Sequence, residues 1–110
     1  MKSYATVYSG TGYGVSWSYD DSTKVLTITG GSMTNGTSYS SYPWYSYVSK
    51  ATKIVCNNSG AIGDYAFESC YYASTIDIGA NVTSIGASAF YYSGRYQATD
   101  IYVRRNGNVT

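Results

Sequence analysis

The chain has 110 residues, with seven Lys plus Arg, six Asp plus Glu and no His, giving a formal net charge of +1. That length supports one small core, and a charged content of 12% gives no electrostatic reason to bind nucleic acid or an anionic membrane. No stretch approaches the roughly 18 apolar residues of a membrane span, and without His no Ser–His or Cys–His nucleophile can be assembled.

Met1-Lys2 leads straight into Tyr/Ser/Gly/Thr-rich sequence with no apolar signal segment, and residues 1–13 read as a loose or edge segment. Gly10-Thr11-Gly12-Tyr13-Gly14 lacks the Lys and the following helix of a phosphate loop. Val15, Trp17 and Tyr19 alternate with Ser16 and Ser18, and Asp20-Asp21-Ser22-Thr23 has turn chemistry. Val25-Leu26-Thr27-Ile28-Thr29 then returns as a second strand that Gly30-Gly31 ends, so a β-hairpin is predicted. Residues 32–42 carry Met33 as their one aliphatic side chain and read as a polar loop. Pro43-Trp44-Tyr45-Ser46-Tyr47-Val48 is suited to a short helical turn with Pro at its first position. Trp44 could stack on a sugar, but indoles are mostly buried, so it is assigned to packing.

From residue 51 the chain repeats. Ile62-Gly63-Asp64-Tyr65-Ala66-Phe67 returns 23 residues later as Ile85-Gly86-Ala87-Ser88-Ala89-Phe90. Strand-like segments Lys53-Ile54-Val55-Cys56, Thr75-Ile76-Asp77-Ile78 and Asp100-Ile101-Tyr102-Val103 follow one another at intervals of 22 and 25. In each, one face is apolar (Ile54/Cys56, Ile76/Ile78, Ile101/Val103) and the other is mixed. Ile62 and Phe67, like Ile85 and Phe90, are expected to fold back over the apolar face. Gly63 and Gly86 are expected to permit a turn conformation that a side chain would penalise, and Ala66 and Ala89 to allow close coil-to-coil approach. Such a unit cannot bury its apolar face alone, so coils must stack. The predicted architecture is mainly β: a short leucine-rich-repeat-type β-solenoid with an N-terminal β-hairpin cap. It is read as a single domain over 1–110, with hairpin and cap in 1–50 and repeats in 51–110. Trp17, Leu26 and Ile28 are expected to cover the solenoid's open end.

Val82-Thr83-Ser84-Ile85-Gly86-Ala87-Ser88-Ala89-Phe90 and Ile62-Gly63-Asp64-Tyr65-Ala66-Phe67-Glu68-Ser69-Cys70 resemble the BspA-type leucine-rich repeat of bacterial surface proteins. The resemblance covers about residues 51–110, as two repeats and a partial third, and residues 14–47 resemble the segment that often precedes such repeats. Ala73 and Ala98 stand where the family usually has Leu, Ser93 replaces the second Cys, and two extra residues fall between Phe90 and Ile101. The core is therefore expected to be thinner than in the family. The resemblance implies an extracellular or cell-surface location, this chain being a mature or excised piece, and contact with proteins, other cells or glycans.

The family pattern places Cys56 and Cys70 inside, where a free Cys packs as a small hydrophobe and a disulfide is the lesser alternative. Two Cys without His give no zinc site, and no cofactor is called for. A glycosidase-like pair of Asp77 and Asp100 is set against a solvated sheet face, which is preferred. The chain reads as non-enzymatic, with a contact surface instead. One patch is the outward strand face: Lys53, Val55, Thr75, Asp77, Asp100 and Tyr102. The other is Tyr71-Tyr72 with Tyr91-Tyr92-Ser93-Gly94-Arg95-Tyr96, in the segments leading into the next strand. Tyr with an Arg and small residues is the chemistry of diversified binding surfaces, although the same rings could simply shield a thin core. The binding candidates are Tyr71, Tyr72, Tyr91, Tyr92, Arg95, Tyr96, Asp77 and Tyr102. The reading is an adhesion or recognition module for a protein or glycan, set against a structural spacer and against a carbohydrate-binding module with Trp44 or Trp17 exposed. The solenoid lacks a visible C-terminal cap, so a homodimer through that end is a further expectation.

Overall fold

The computed structural model describes residues 6–96 and 98–104. Three strands open it: β1 (Val7–Gly12), β2 (Val15–Asp20) and β3 (Val25–Gly30), paired antiparallel in sequence order. The predicted hairpin is β2–β3, and its turn is held as its residues suggest. Asp20 Oδ1 accepts the Ser22 amide at 2.9 Å, the Ser22 hydroxyl at 2.7 Å and the Thr23 amide at 3.3 Å. The segment ahead of it is an edge strand, so the cap is a three-stranded meander.

The remaining strands are β4 (Lys53–Asn58), β5 (Gly60–Ile62), β6 (Thr75–Ile78), β7 (Val82–Ile85) and β8 (Asp100–Val103). The main sheet runs β1-β2-β3-β4-β6-β8, and β5 pairs with β7 in a second, two-stranded sheet. From β3 onward the main sheet is parallel, so the last strand of the meander is also the first strand of the solenoid. The register aligns Leu26, Ile54, Ile76 and Ile101 in one inward column and Ile28, Cys56, Ile78 and Val103 in the next. Period-2 alternation puts these side chains on the core face. Leu26 and Ile28 thus close the first coil as expected, each 0% exposed, while Trp17 is only partly buried against the core.

The connecting segments carry the aromatic half of the core. The helical turn α1 (Tyr45–Val48) begins two residues after Pro43, with Trp44 at its N-cap, so Pro43 precedes the helix instead of opening it. Residues 32–42 are more than a polar loop: they hold a 3-10 turn at Tyr39–Ser41, and both Met33 and Tyr42 are buried. Rings stack in series from Tyr42 to Trp44 (5.0 Å), Trp44 to Phe67 (5.9 Å) and Phe67 to Phe90 (5.3 Å). Tyr47 of α1 stacks on Tyr8 at 5.2 Å and Tyr19 at 4.9 Å, fastening the helix to the meander. The Trp17 indole packs over Gly10, where an added Cβ would lie 3.0 Å from Nε1.

Two expectations need correction. Gly63 and Gly86 do not have positive φ; that backbone state falls on Tyr65, Ser69, Ser88 and Tyr92. The glycines serve close approach, since a Cβ on Gly63 would meet the Tyr42 hydroxyl at 2.5 Å and one on Gly86 the Asp64 amide nitrogen at 2.5 Å. The second correction concerns the last coil. Ile62 and Phe67 are buried, but Ile85, Ile101 and Val103 are 49%, 53% and 55% exposed, because no described coil lies over them.

Candidate functional site

The tyrosines separate by environment. Tyr19 and Tyr42 are core, whereas Tyr72, Tyr91, Tyr92 and Tyr96 are 46–59% exposed. These four come from the segments after the first and second repeat turns, and Tyr71 joins them into one cluster. Tyr71 lies 6.3 Å from Tyr92 and 5.7 Å from Tyr96, Tyr72 stacks on Tyr96 at 5.0 Å, and Tyr91 and Tyr92 are 4.1 Å apart. The Arg95 guanidinium sits 6.0 Å from the Tyr92 ring and 5.8 Å from that of Tyr96, within cation–π range. Backbone bonds set the spacing of the two segments: Ser69 N to Tyr91 O at 2.7 Å, Gly94 N to Cys70 O at 3.1 Å and Tyr96 N to Tyr71 O at 3.3 Å. Ring-on-ring contact restricts the side chains in advance, so less conformational freedom remains to be lost on contact with a partner. A hydrogen bond to Tyr92 raises the Tyr91 hydroxyl pKa, with the Tyr92 and Glu68 charges adding to it.

Asp77 and Tyr102 form a separate group on the outward strand face, where β6 and β8 place them side by side. Arg104 grips Asp77 with two hydrogen bonds of 3.0 Å, Nε to Oδ1 and Nη2 to Oδ2, and lies 5.7 Å from the Tyr102 ring. The Arg104 pairing holds the Asp77 carboxyl below its ordinary value. In the β6–β8 register Asp100 stands opposite Thr75, one pair removed from Ile76–Ile101 and two from Asp77–Tyr102. Asp77 is thus committed to a cation, with its side chain 18% exposed.

Sequence reasoning missed the extension of the tyrosine cluster toward the cap. Tyr39, Tyr45, Ser46, Glu68, Ser69 and Tyr71 border a concavity of about 280 Å³, and Tyr39 meets Tyr45 edge-on at 6.4 Å. The signal was present, since Tyr45, Glu68 and Tyr91 are successive positions of the 23-residue period. It was obscured because the period was counted only from residue 51.

Other chemistry is limited. Cys56 and Cys70 are both free and buried; burial pushes the Cys70 thiol up to about 12 and Cys56 higher still. Among the described residues no group of three or more His, Cys, Asp or Glu is placed to hold a metal ion. No helix among them is long and apolar enough to cross a membrane. Trp44, the residue considered for sugar stacking, is 0% exposed and donates Nε1 to the Ala66 carbonyl at 2.9 Å.

Parallel strands repeated at intervals in the low twenties, connected by stacked aromatic turns, define a leucine-rich-repeat solenoid of about three turns. A family model described as "BspA type Leucine rich repeat region (6 copies)" matches residues 21–106, and the chain belongs to that family. The family is typically non-enzymatic and typically associated with bacterial surfaces. Among solved structures the chain is similar to a leucine-rich repeat protein from Eubacterium ventriosum, at 26% identity and a TM-score of 0.73 over 91% of this chain. It spans 26% of that protein's chain. No curated protein matches.

Proposed function

We propose that the chain is a non-catalytic recognition module of a cell surface or its exterior, and that Tyr71, Tyr72, Tyr91, Tyr92, Arg95 and Tyr96 contact a protein or glycan partner. The observation that carries this reading is the state of the rings. They are held against one another, yet Tyr72, Tyr91, Tyr92 and Tyr96 keep about half of their surface in water. Tyr offers an apolar face for burial and a hydroxyl for hydrogen bonding, and Arg95 adds a charged donor. The Asp77–Tyr102 group is the weaker candidate because Arg104 already occupies Asp77.

The test is binding to a printed array of purified extracellular-matrix proteins and glycans, comparing the parent with a Tyr91→Ser, Tyr92→Ser, Arg95→Ser, Tyr96→Ser variant. The reading expects array signals that vanish in the variant while the far-UV spectrum is kept, and that survive Tyr102→Ala. Signals unchanged in the quadruple variant would overturn the assignment. An array silent for the parent favours the spacer, in which the coils only hold or project another part of a protein. The carbohydrate-module reading loses its route through Trp44, whose indole is enclosed.

A further inference from the structure

The β2–β3 turn and the helix α1 each bring a lysine to the same stretch of surface. Lys24 closes the turn with φ 59°, the left-handed state in which such turns ordinarily use Gly or Asn. Its backbone is fully engaged there. The amide donates to Asp20 O at 2.7 Å, and the carbonyl accepts the Thr52 and Lys53 amides at 2.9 and 3.4 Å. That carbonyl joins the cap to the first coil, so the Lys24 side chain leaves from a fixed base. Lys50 follows α1, with its amide bonded to Tyr47 O at 3.1 Å and its ammonium 5.9 Å from the Tyr47 ring.

Lys24 and Lys50 are shared by two hollows. One, of about 350 Å³, is completed by Ser49, Thr52 and Tyr72 and has no acidic residue in its wall. The other, of about 470 Å³, has Tyr8, Asp21, Ser46 and Tyr47 in its wall. Both lysines are exposed, and among the described residues neither forms an ion pair. Asp21 borders the second hollow only, where its carboxylate accepts the Thr6 amide at 3.1 Å. On a chain of net charge +1, two such ammonium groups are a local concentration of charge and not a general basicity. Tyr72 stacks on Tyr96 at 5.0 Å, which joins the first hollow to the tyrosine cluster.

We infer that the two hollows form one trough for an acidic saccharide, in which Lys24 and Lys50 take a carboxylate or sulfate and Tyr72 and Tyr47 flank it. The inference rests on the recognition reading through Tyr72 and narrows the partner to an acidic glycan. Two ammonium groups beside the Ser49 and Thr52 hydroxyls suit a compact oxyanion, because all of them can donate to it. The tyrosine rings to either side offer faces on which the C–H surface of a sugar ring can be buried. Asp21 and Ser46 supply acceptors for the hydroxyl groups of a neighbouring sugar. An acidic peptide fits less well, since main-chain recognition needs backbone groups that are still open. Here the amides of Lys24, Lys50, Ala51 and Thr52 and the carbonyls of Lys24 and Thr52 are already bonded.

The probes are tetragalacturonate and a sulfated chondroitin tetrasaccharide, titrated into the intact chain and followed by calorimetry and amide NMR shifts. Neutral cellotetraose, tetraglutamate and inorganic sulfate are titrated alongside. At least one acidic tetrasaccharide should bind and shift the amides of Lys24, Lys50 and Tyr72, with all three comparison ligands about 10-fold or more weaker. Lys24→Gly combined with Lys50→Gln should weaken that binding about 10-fold or more. The thermal melt should be held, because Gly is at ease in the left-handed state at position 24. Binding kept in the lysine variant would overturn this inference, and its loss in the quadruple Ser variant would then leave the recognition reading standing. Loss in the lysine variant alone would support the trough and remove the outer tyrosines from it. No binding of either acidic tetrasaccharide, or equal binding of tetraglutamate or sulfate, would overturn the trough outright.

Discussion

Trp44 stands to Phe67 as Phe67 stands to Phe90: each is 23 residues before the next, and each ring stacks on its successor. The cap is therefore built in the frame of the repeat. Its segment from Tyr42 to Tyr47 takes the place of a coil, with aromatic hydroxyl and indole N–H groups substituting for backbone donors.

Truncation at Trp44 should be among the most damaging changes. Trp44→Ala removes a wholly buried ring and is expected to lower the unfolding free energy by about 3–5 kcal/mol. Trp44→Phe keeps a ring but leaves the Ala66 carbonyl without its donor, for a loss of about 1–3 kcal/mol. Urea denaturation followed by far-UV circular dichroism checks the order; equal losses would deny the hydrogen bond its role.

Gly86→Ala should destabilise through the backbone it meets. The new Cβ would lie 2.5 Å from Asp64 N and 2.7 Å from Gly63 C, neither of which is a side chain able to rotate away. A loss of about 1–3 kcal/mol is expected. Gly31→Ala, whose nearest neighbour is Gly14 O at 3.4 Å, is the tolerant control. Thermal melts of the two variants should differ clearly.

The pair of Asp77 and Arg104 gives a signed pH dependence. Arg104 lowers the folded-state pKa of Asp77 below its ordinary value of 3.8. Its contribution is therefore full above that value and is lost as pH falls through the lower folded pKa. Both partners border solvent, so the amplitude is small and screened by salt. Asp77→Asn should lower stability slightly at neutral pH and low ionic strength and flatten the acid limb of the stability curve, so that variant and parent converge as pH falls. A variant slightly less stable than the parent at pH 7, with the difference shrinking toward zero as pH falls below the ordinary carboxyl range, agrees with this; a difference that grows toward low pH does not.

The two cysteines should be silent in the folded chain. Cys70 has its pKa pushed up to about 12, and both thiols are buried, so thiolate is scarce and access is closed. A chromogenic disulfide reagent at pH 8 should report no fast thiol natively and two thiols in denaturant. One fast native thiol would contradict the buried placement.

Much of this architecture is legible in the residues. The alternation in 53–56, 75–78 and 100–103 and the recurrent Ile-Gly turn specify parallel strands that stack, because apolar faces of that width must be covered. The β2–β3 hairpin is equally plain from Asp20 and Ser22. The parallel pairing of β3 with β4 is less so, since it depends on which strand the cap offers to the first coil. The glycine role at 63 and 86 was misread because close approach and positive φ select the same residue type. At the site, the tyrosines were visible but their sorting was not: Tyr19 and Tyr42 are enclosed while Tyr91 and Tyr96 are half in water, and only packing distinguishes them.

The recognition reading rests on those exposed rings being a contact surface and not a cover for the core. The most direct measurement is the unfolding free energy of the Tyr91→Ser, Tyr92→Ser, Arg95→Ser, Tyr96→Ser variant against the parent. Solvent-facing substitutions typically change stability by about 0.5 kcal/mol each, so the account predicts a total loss of about 2 kcal/mol or less. A loss several times larger, or failure to fold, would show that the tyrosines hold the structure together and would contradict it.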